Sequence, residues 1–182
     1  MSIYRPEFED ALRLFARVSE TMKARGASAP VLVGGAAVEL YTASAIATGD
    51  FDIVTGRQNI FEQALRDHGF VRPSGAGQST RGWIHEGLRL GFEVVSGQLL
   101  DGHADRDRVR LIDLGADGRV AVIAVEDIIA DRMGQYASGT APEMLGQARS
   151  LYHLHCDADL DYMERRIREE SAGDYGIADL EG

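Results

Sequence analysis

The segment Asp50-Phe51-Asp52-Ile53-Val54 alternates acidic and apolar residues, and it constrains the rest of the chain. Alternation at period two is the pattern of a half-buried strand. Positions 50 and 52 then share one face of that strand. Two carboxylates side by side repel each other unless something cationic lies between them. The apolar neighbours show that the strand packs on its other side. A chain built on this segment therefore needs a sheet with a core on one face. On the other face it needs either a cation or open water. A hard divalent cation such as Mg2+ suits the first case, because it takes one or two protein carboxylates together with substrate phosphates. A solvated strand edge is the plainer alternative, and Asp-X-Asp alone favours it.

Two further features belong to the same argument. Pro30 precedes a short apolar strand, Val31-Leu32-Val33, which Gly34-Gly35 breaks before a helix-forming run from Ala36 to about Ala45. Glycine there permits unusual dihedrals and a close backbone approach to a ligand. The helix N-terminus behind it favours an anion such as phosphate; a tight turn is the plainer reading. Glu93 lies in the middle of the apolar run Arg89-Leu90-Gly91-Phe92-Glu93-Val94-Val95. An acid there is costly unless it is paired, metal-bound or turned to water.

The remaining periodicity supplies the frame. Phe8, Leu12, Phe15, Val18 and Met22 mark one face of a helix over 6–25, ended by Gly26. A helix is expected over 58–68, a loop over 72–80, and strands at 81–85, 89–96, 108–114 and 119–124. Helices follow over 126–138, 141–155 and 159–170. The expected fold is α+β, a mixed β-sheet flanked by helices with a helical appendage. Its divisions are a core at 1–124, the appendage at 125–170, and a small, acidic, loose tail at 171–182.

Composition excludes several classes. The chain has 182 residues, 45% of them hydrophobic and 26% charged, which suits one compact domain rather than a disordered chain. A net charge of −10 argues against an extended nucleic-acid surface, because Lys and Arg carry that affinity. The charge is uneven, with nine acids against three arginines from Asp157 to Gly182. The single cysteine, Cys156, excludes a disulfide framework and fits a reducing compartment. No segment reads as a membrane span or a signal peptide, so a cytoplasmic location is expected. The five histidines show no metal spacing, and no Gly-X-Ser-X-Gly or Walker pattern occurs. The loop from Gly97 to Arg110 mixes acids and arginines and reads as a solvated connector.

Each signal is short, but their order is specific. A strand, Gly34-Gly35, a helix, Asp50-Phe51-Asp52-Ile53 and a later strand with a third acid together resemble the polymerase-β-type nucleotidyltransferase superfamily. Thr48 gives the Thr-X-Asp-X-Asp form of the branch that includes AbiEii-type toxins and small antibiotic nucleotidyltransferases. The run from Ala124 to Met133 is similar to the helix that follows the catalytic domain in that branch. The resemblance covers roughly residues 28–170. Three departures stand beside it. Fourteen residues separate Gly35 from Asp50, Ile46 and Ala47 occupy a region where a basic residue is common, and Arg132 stands where a lysine is usual. The chain has one lysine, Lys23, so that last exchange also follows its composition.

The resemblance implies a minimal nucleotidyltransferase fold and a Mg2+-dependent transfer of a nucleoside monophosphate from a nucleoside triphosphate such as ATP to an acceptor hydroxyl. It implies two Mg2+ ions, or Mn2+ in their place, on Asp50, Asp52 and Glu93. Asp113 is the alternative third acid. It implies nucleotide contacts from Gly34, Gly35, Thr48 and Arg132. Acceptors in such families are RNA ends, proteins and small molecules, and the toxin branch carries an antitoxin partner. Two other readings remain open: a nucleotide- or partner-binding module without turnover, and a hydrolase using the same carboxylates.

Overall fold

The computed structural model describes residues 3–73 and 82–182. Among these residues, five strands form one mixed sheet: β1 (Val31–Val33), β2 (Asp50–Val54), β3 (Gly91–Ser96), β4 (Arg110–Asp113) and β5 (Arg119–Val122). Their order is β3-β2-β1-β5-β4. β1 runs antiparallel to β2 and parallel to β5, β2 is parallel to β3, and β4 is antiparallel to β5. Among the described residues, six helices accompany the sheet: α1 (Pro6–Ala24), α2 (Gly34–Tyr41), α3 (Gln58–Asp67), α4 (Val125–Ala137), α5 (Met144–Leu154) and α6 (Leu160–Glu170). The expected α+β class with a mixed sheet is the observed one.

The strand alternation decides which face of the sheet is closed. Phe51 and Ile53 on β2 and Phe92 on β3 are fully buried. The Phe51 and Phe92 rings stack at 4.9 Å, and Phe8 and Phe15 of α1 pack on them at 5.3 and 5.8 Å. Rings of this size supply much of a core's burial energy. The acids of β2 and β3 are thereby turned to the other face.

The helices after the sheet are held partly by charge. Arg166 of α6 is fully buried and bonds Asp127 of α4 at 2.8 Å, with Glu169 and Glu170 on its remaining nitrogens. Tyr162 donates its hydroxyl to the same Asp127 carboxylate. Gly134 lets α6 approach closely, since a Cβ there would stand 2.8 Å from the Glu170 carbonyl oxygen.

Several local expectations change. α2 starts at Gly34 and stops at Tyr41, short of Ala45. Thr42 folds its hydroxyl back onto the Val38 carbonyl, and Ala43 and Ser44 take left-handed dihedrals that end the helix. The strand expected at 81–85 is reduced to isolated bridges, Trp83 to Phe92 and Ile84 to Val71. Most of the expected 72–80 loop, residues 74–80, and Arg81 lie outside the described residues. The tail is docked rather than loose. Its short 3-10 turn, Ile177–Leu180, buries Leu180 completely. Glu164 accepts the Ile177 N–H at 2.6 Å, and Arg149 donates to the Asp179 carbonyl at 2.9 Å. Acidic composition hid one apolar anchor and two backbone partners. Among the described residues, no helix is long and apolar enough to cross a membrane.

Candidate active site

The open face of β2 looks into a cleft of about 570 Å3 between the sheet, the start of α2, and helices α4 and α5. The register places Asp52 opposite Glu93 on the neighbouring parallel strand, and Asp50 opposite Gly91. Asp50, Asp52 and Glu93 therefore share one face of two adjacent strands. Asp52 reaches the cleft, Asp50 is exposed, and Glu93 is half-buried. Burial, then the charge of Asp50, then that of Glu93 push the Asp52 carboxyl above its ordinary pKa. The Gly35 N–H and the charge of Arg132 pull the other way. The cluster is short of positive charge.

The diglycine turn is fitted to Asp52. Gly34 has φ +57°, and a Cβ there would overlap Asp52 Oδ2 and lie 2.8 Å from its Cγ. The Gly35 backbone N–H faces the same carboxylate and favours its charge. A Cβ on Gly35 would overlap the Thr48 hydroxyl. The expected phosphate cradle is thus, in this conformation, the seat of a carboxylate from the neighbouring strand: Asp52 lies against the diglycine turn at the start of α2.

Thr48 lines the cleft, and its hydroxyl donates to the Asp50 carbonyl at 3.1 Å. Arg132 also lines it from α4. It is only 5% exposed, its Nη1 has Gln135 at 3.2 Å and Asp131 at 3.7 Å, and its Nε has no partner. No other buried side-chain nitrogen or oxygen among the described residues lacks one. An unpaired buried guanidinium nitrogen is expensive. The alternative third acid, Asp113, is far from this group in sheet order. It ends the outermost strand β4, where its carboxylate accepts the Gly115 N–H at 2.7 Å.

The donor set suits Mg2+ carried in with a triphosphate: hard carboxylate oxygens, mutually repelling and uncompensated. Among the described residues, no three His, Cys, Asp or Glu side chains are gathered closely enough to hold a metal by themselves. Mg2+ does not require that, because it binds through one or two carboxylates and completes its shell with phosphate and water.

Sequence reasoning missed part of the cleft. Gln98, Leu100 and Asp101 belong to its wall, so the loop after β3 is more than a solvated connector; Leu99 and Ala104 anchor it in the core. Leu100 and Asp101 have positive φ, a conformation that residue type alone does not announce. Asp131 also lines the cleft, where burial raises its carboxyl pKa against the pull of Arg132 and Gln135. Its signal was adjacency to Arg132.

This arrangement of sheet, diglycine turn and acid-bearing strands is the fold of nucleotidyltransferases. The antibiotic-resistance factor ANT(2'')-Ia in solution is similar over 95% of this chain and 96% of its own, with TM-score 0.56 and 16% identity. A crystal structure of ANT(2'')-Ia in complex with adenylyl-2''-tobramycin matches 90% of this chain and 98% of that one, at TM-score 0.57 and 14% identity. An antigenic nucleotidyltransferase-like protein from Paracoccidioides brasiliensis matches 94% and 93% of the two chains, at TM-score 0.60 and 14% identity. No family model and no curated protein matches the sequence.

Proposed function

We propose that the chain is a nucleotidyltransferase that moves a nucleoside monophosphate from a nucleoside triphosphate to a hydroxyl of a small-molecule acceptor. One observation carries the reading: Asp52, seated on the diglycine turn beside Glu93, shares a cleft with a buried arginine whose Nε is unpaired. That juxtaposition suits a metal-bound triphosphate, with carboxylates toward the metal and guanidinium toward phosphate oxygens.

Asp50, Asp52 and Glu93 would hold Mg2+. When bound, Mg2+ neutralises the triphosphate and stabilises charge on the attacking and leaving oxygens. Arg132 binds phosphate, and Thr48 and the diglycine turn shape the wall beside it. Glu93 is the nearest candidate to accept the acceptor's hydroxyl proton. The acceptor oxygen bonds to the α-phosphorus, the bond to the β-phosphate oxygen breaks, and pyrophosphate leaves. The outer cleft carries Asp101, Asp131, Gln98 and Gln147. That lining suits an acceptor rich in hydroxyl and amino groups, in keeping with the adenylyl-tobramycin held by ANT(2'')-Ia. The solved structures thus lend weight to the antibiotic side of the two branches that the sequence resembles.

The test is calorimetric binding of the four nucleoside triphosphates with and without Mg2+, with Asp50→Asn/Asp52→Asn as control. Metal-dependent binding that the double variant loses supports the site. Equal binding by both proteins rejects it. A binding module without turnover draws support from the ungathered carboxylates. Pyrophosphate release in the presence of aminated polyols separates the two, since only the enzyme produces it.

A further inference from the structure

The acid inside α2 and an arginine far away in sequence form a clamp on the loop that leads into β2. Glu39 is fully buried. Its carboxylate accepts from Arg5 Nε at 2.6 Å, Arg5 Nη2 at 2.9 Å, the Ser44 hydroxyl at 2.8 Å and the Thr48 N–H at 2.6 Å. Arg5 Nη2 also donates to the Thr48 carbonyl at 2.6 Å, and the Arg5 N–H donates to the Ser44 hydroxyl at 3.1 Å. Both backbone polar groups of Thr48 are therefore held by one ion pair.

The clamp acts on a segment that would not hold its shape alone. Ala43 and Ser44 have φ of 49° and 63°, conformations that residues other than glycine rarely keep without surrounding support. Thr48 passes the constraint onward in two directions: its hydroxyl bonds the Asp50 carbonyl, and its side chain packs on Gly35. The same diglycine turn lies against the Asp52 carboxylate, which leaves no room for a Cβ at Gly34.

We propose that Arg5 and Glu39 are positioning residues of the nucleotide site. They set Thr48, and through it the spacing between the diglycine turn and the Asp50–Asp52 strand, so that the carboxylates meet a metal-bound triphosphate in register. The proposal rests on the nucleotidyltransferase reading. Neither residue lines the cleft; Arg5, immediately before α1, supplies a cation that the segment before Asp50 lacks. Residues that orient metal-binding carboxylates in this indirect way change metal affinity by about 10–100-fold when removed.

The experiment separates positioning from plain stability. Arg5→Met leaves Glu39 buried and unpaired and should destabilise strongly, whereas Arg5→Met/Glu39→Leu replaces the pair with apolar groups and should recover much of that loss. Ile167→Ala, in the core of α6 away from the cleft, serves as a destabilised control. Three quantities are measured: the thermal midpoint, hydrogen exchange at the Thr48 amide, and the Mg2+ concentration that half-saturates binding of the four α,β-methylene nucleoside triphosphates. In the double variant the Thr48 amide should exchange faster and the Mg2+ requirement should rise about 10-fold or more, although stability has returned. Ile167→Ala should lose stability with an unchanged Mg2+ requirement. An unchanged requirement in the double variant, or an equal rise in Ile167→Ala, overturns the proposal while leaving the function intact. If the wild-type protein takes up none of the four analogues with Mg2+, the functional reading falls, and the positioning role falls with it.

Discussion

Replacing Gly34 with alanine tests the link between the diglycine turn and the carboxylate it seats. Two separate effects should add. An alanine held at φ +57° carries the left-handed penalty of about 1–2 kcal/mol. The new Cβ would also overlap Asp52 Oδ2 and lie 2.8 and 2.9 Å from Cγ and Cβ, so the Asp52 side chain must move. Moving it takes the carboxylate away from the Gly35 N–H that favours its charge, which at the low end of charge-assisted bonds is about 1.5 kcal/mol. The sum is about 2.5–3.5 kcal/mol, or roughly 5–14 °C in thermal midpoint at this chain length.

The protein contains its own control. Gly26 has φ +74° and open space where a Cβ would go, so Gly26→Ala measures the dihedral effect alone. Urea unfolding of Gly26→Ala, Gly34→Ala, Asp52→Ala and Gly34→Ala/Asp52→Ala then closes a cycle. Gly34→Ala should be costlier than Gly26→Ala in the wild-type background. It should cost distinctly less once residue 52 is alanine, because only the 2.9 Å contact with its Cβ remains. Equal costs in both backgrounds would refute the idea that Gly34 exists to admit the Asp52 carboxylate. Equal costs for Gly26→Ala and Gly34→Ala in the wild-type protein would refute it too.

Other outcomes follow from the same geometry. Asp52→Asn should raise stability at neutral pH by up to about 1 kcal/mol, a modest figure because solvent screens a half-exposed carboxylate, while abolishing Mg2+-dependent nucleotide binding; a stability loss in urea titration contradicts the repulsion described for Asp52. Arg132→Met should weaken triphosphate binding about 10-fold or more, as for a lost charge-assisted phosphate contact of roughly 1.5–3 kcal/mol, and should also lower the midpoint, because it removes the Nη1 contacts with Gln135 and Asp131. Arg166→Met should lower stability by about 3–5 kcal/mol by stranding the buried Asp127 carboxylate, and calorimetry of the variant checks it. Burial pushes Glu39 upward, but bonds from Arg5, Thr48 and Ser44 outweigh it and hold its pKa below the ordinary value. Its stabilisation is therefore complete above the unfolded carboxyl pKa and is lost as pH falls through the lower folded one. Acid unfolding of Glu39→Gln should lack that share of the pH dependence.

The legible part of this protein is local. The period-two run at Asp50–Val54, the diglycine after Val33 and the lone acid at Glu93 each carry their meaning within a few residues, and the sheet brings them together in the expected order. The elements that escaped are set by partners distant in sequence. Glu39 is an acid in an otherwise apolar helix, and what explains it is Arg5, 34 residues earlier. Leu180 looked like part of an acidic tail, and what explains it is the space between α5 and α6. The loop after β3 has a charged composition, yet Leu99 anchors it and its left-handed residues turn Leu100 and Asp101 to the cleft.

The same contrast explains why the site is arranged as it is. A carboxylate pair on a sheet face is destabilising by itself, and the fold answers with held backbone rather than with opposing charge. The Gly35 N–H faces the Asp52 carboxylate, and Thr48, itself fixed at both its amide and its carbonyl, holds the Asp50 backbone at the carbonyl oxygen. The guanidinium that could have neutralised the acids is spent elsewhere: Arg5 is committed to Glu39 at the back of the loop. Arg132 stands in the cleft without a strong carboxylate partner, its nearest being Asp131 at 3.7 Å. Had either arginine paired closely with Asp52, the fold would gain an ion pair and the cleft would lose its separated charges. On the proposed nucleotidyltransferase reading, keeping the two apart would leave room for a ligand that carries its own cation and its own phosphates.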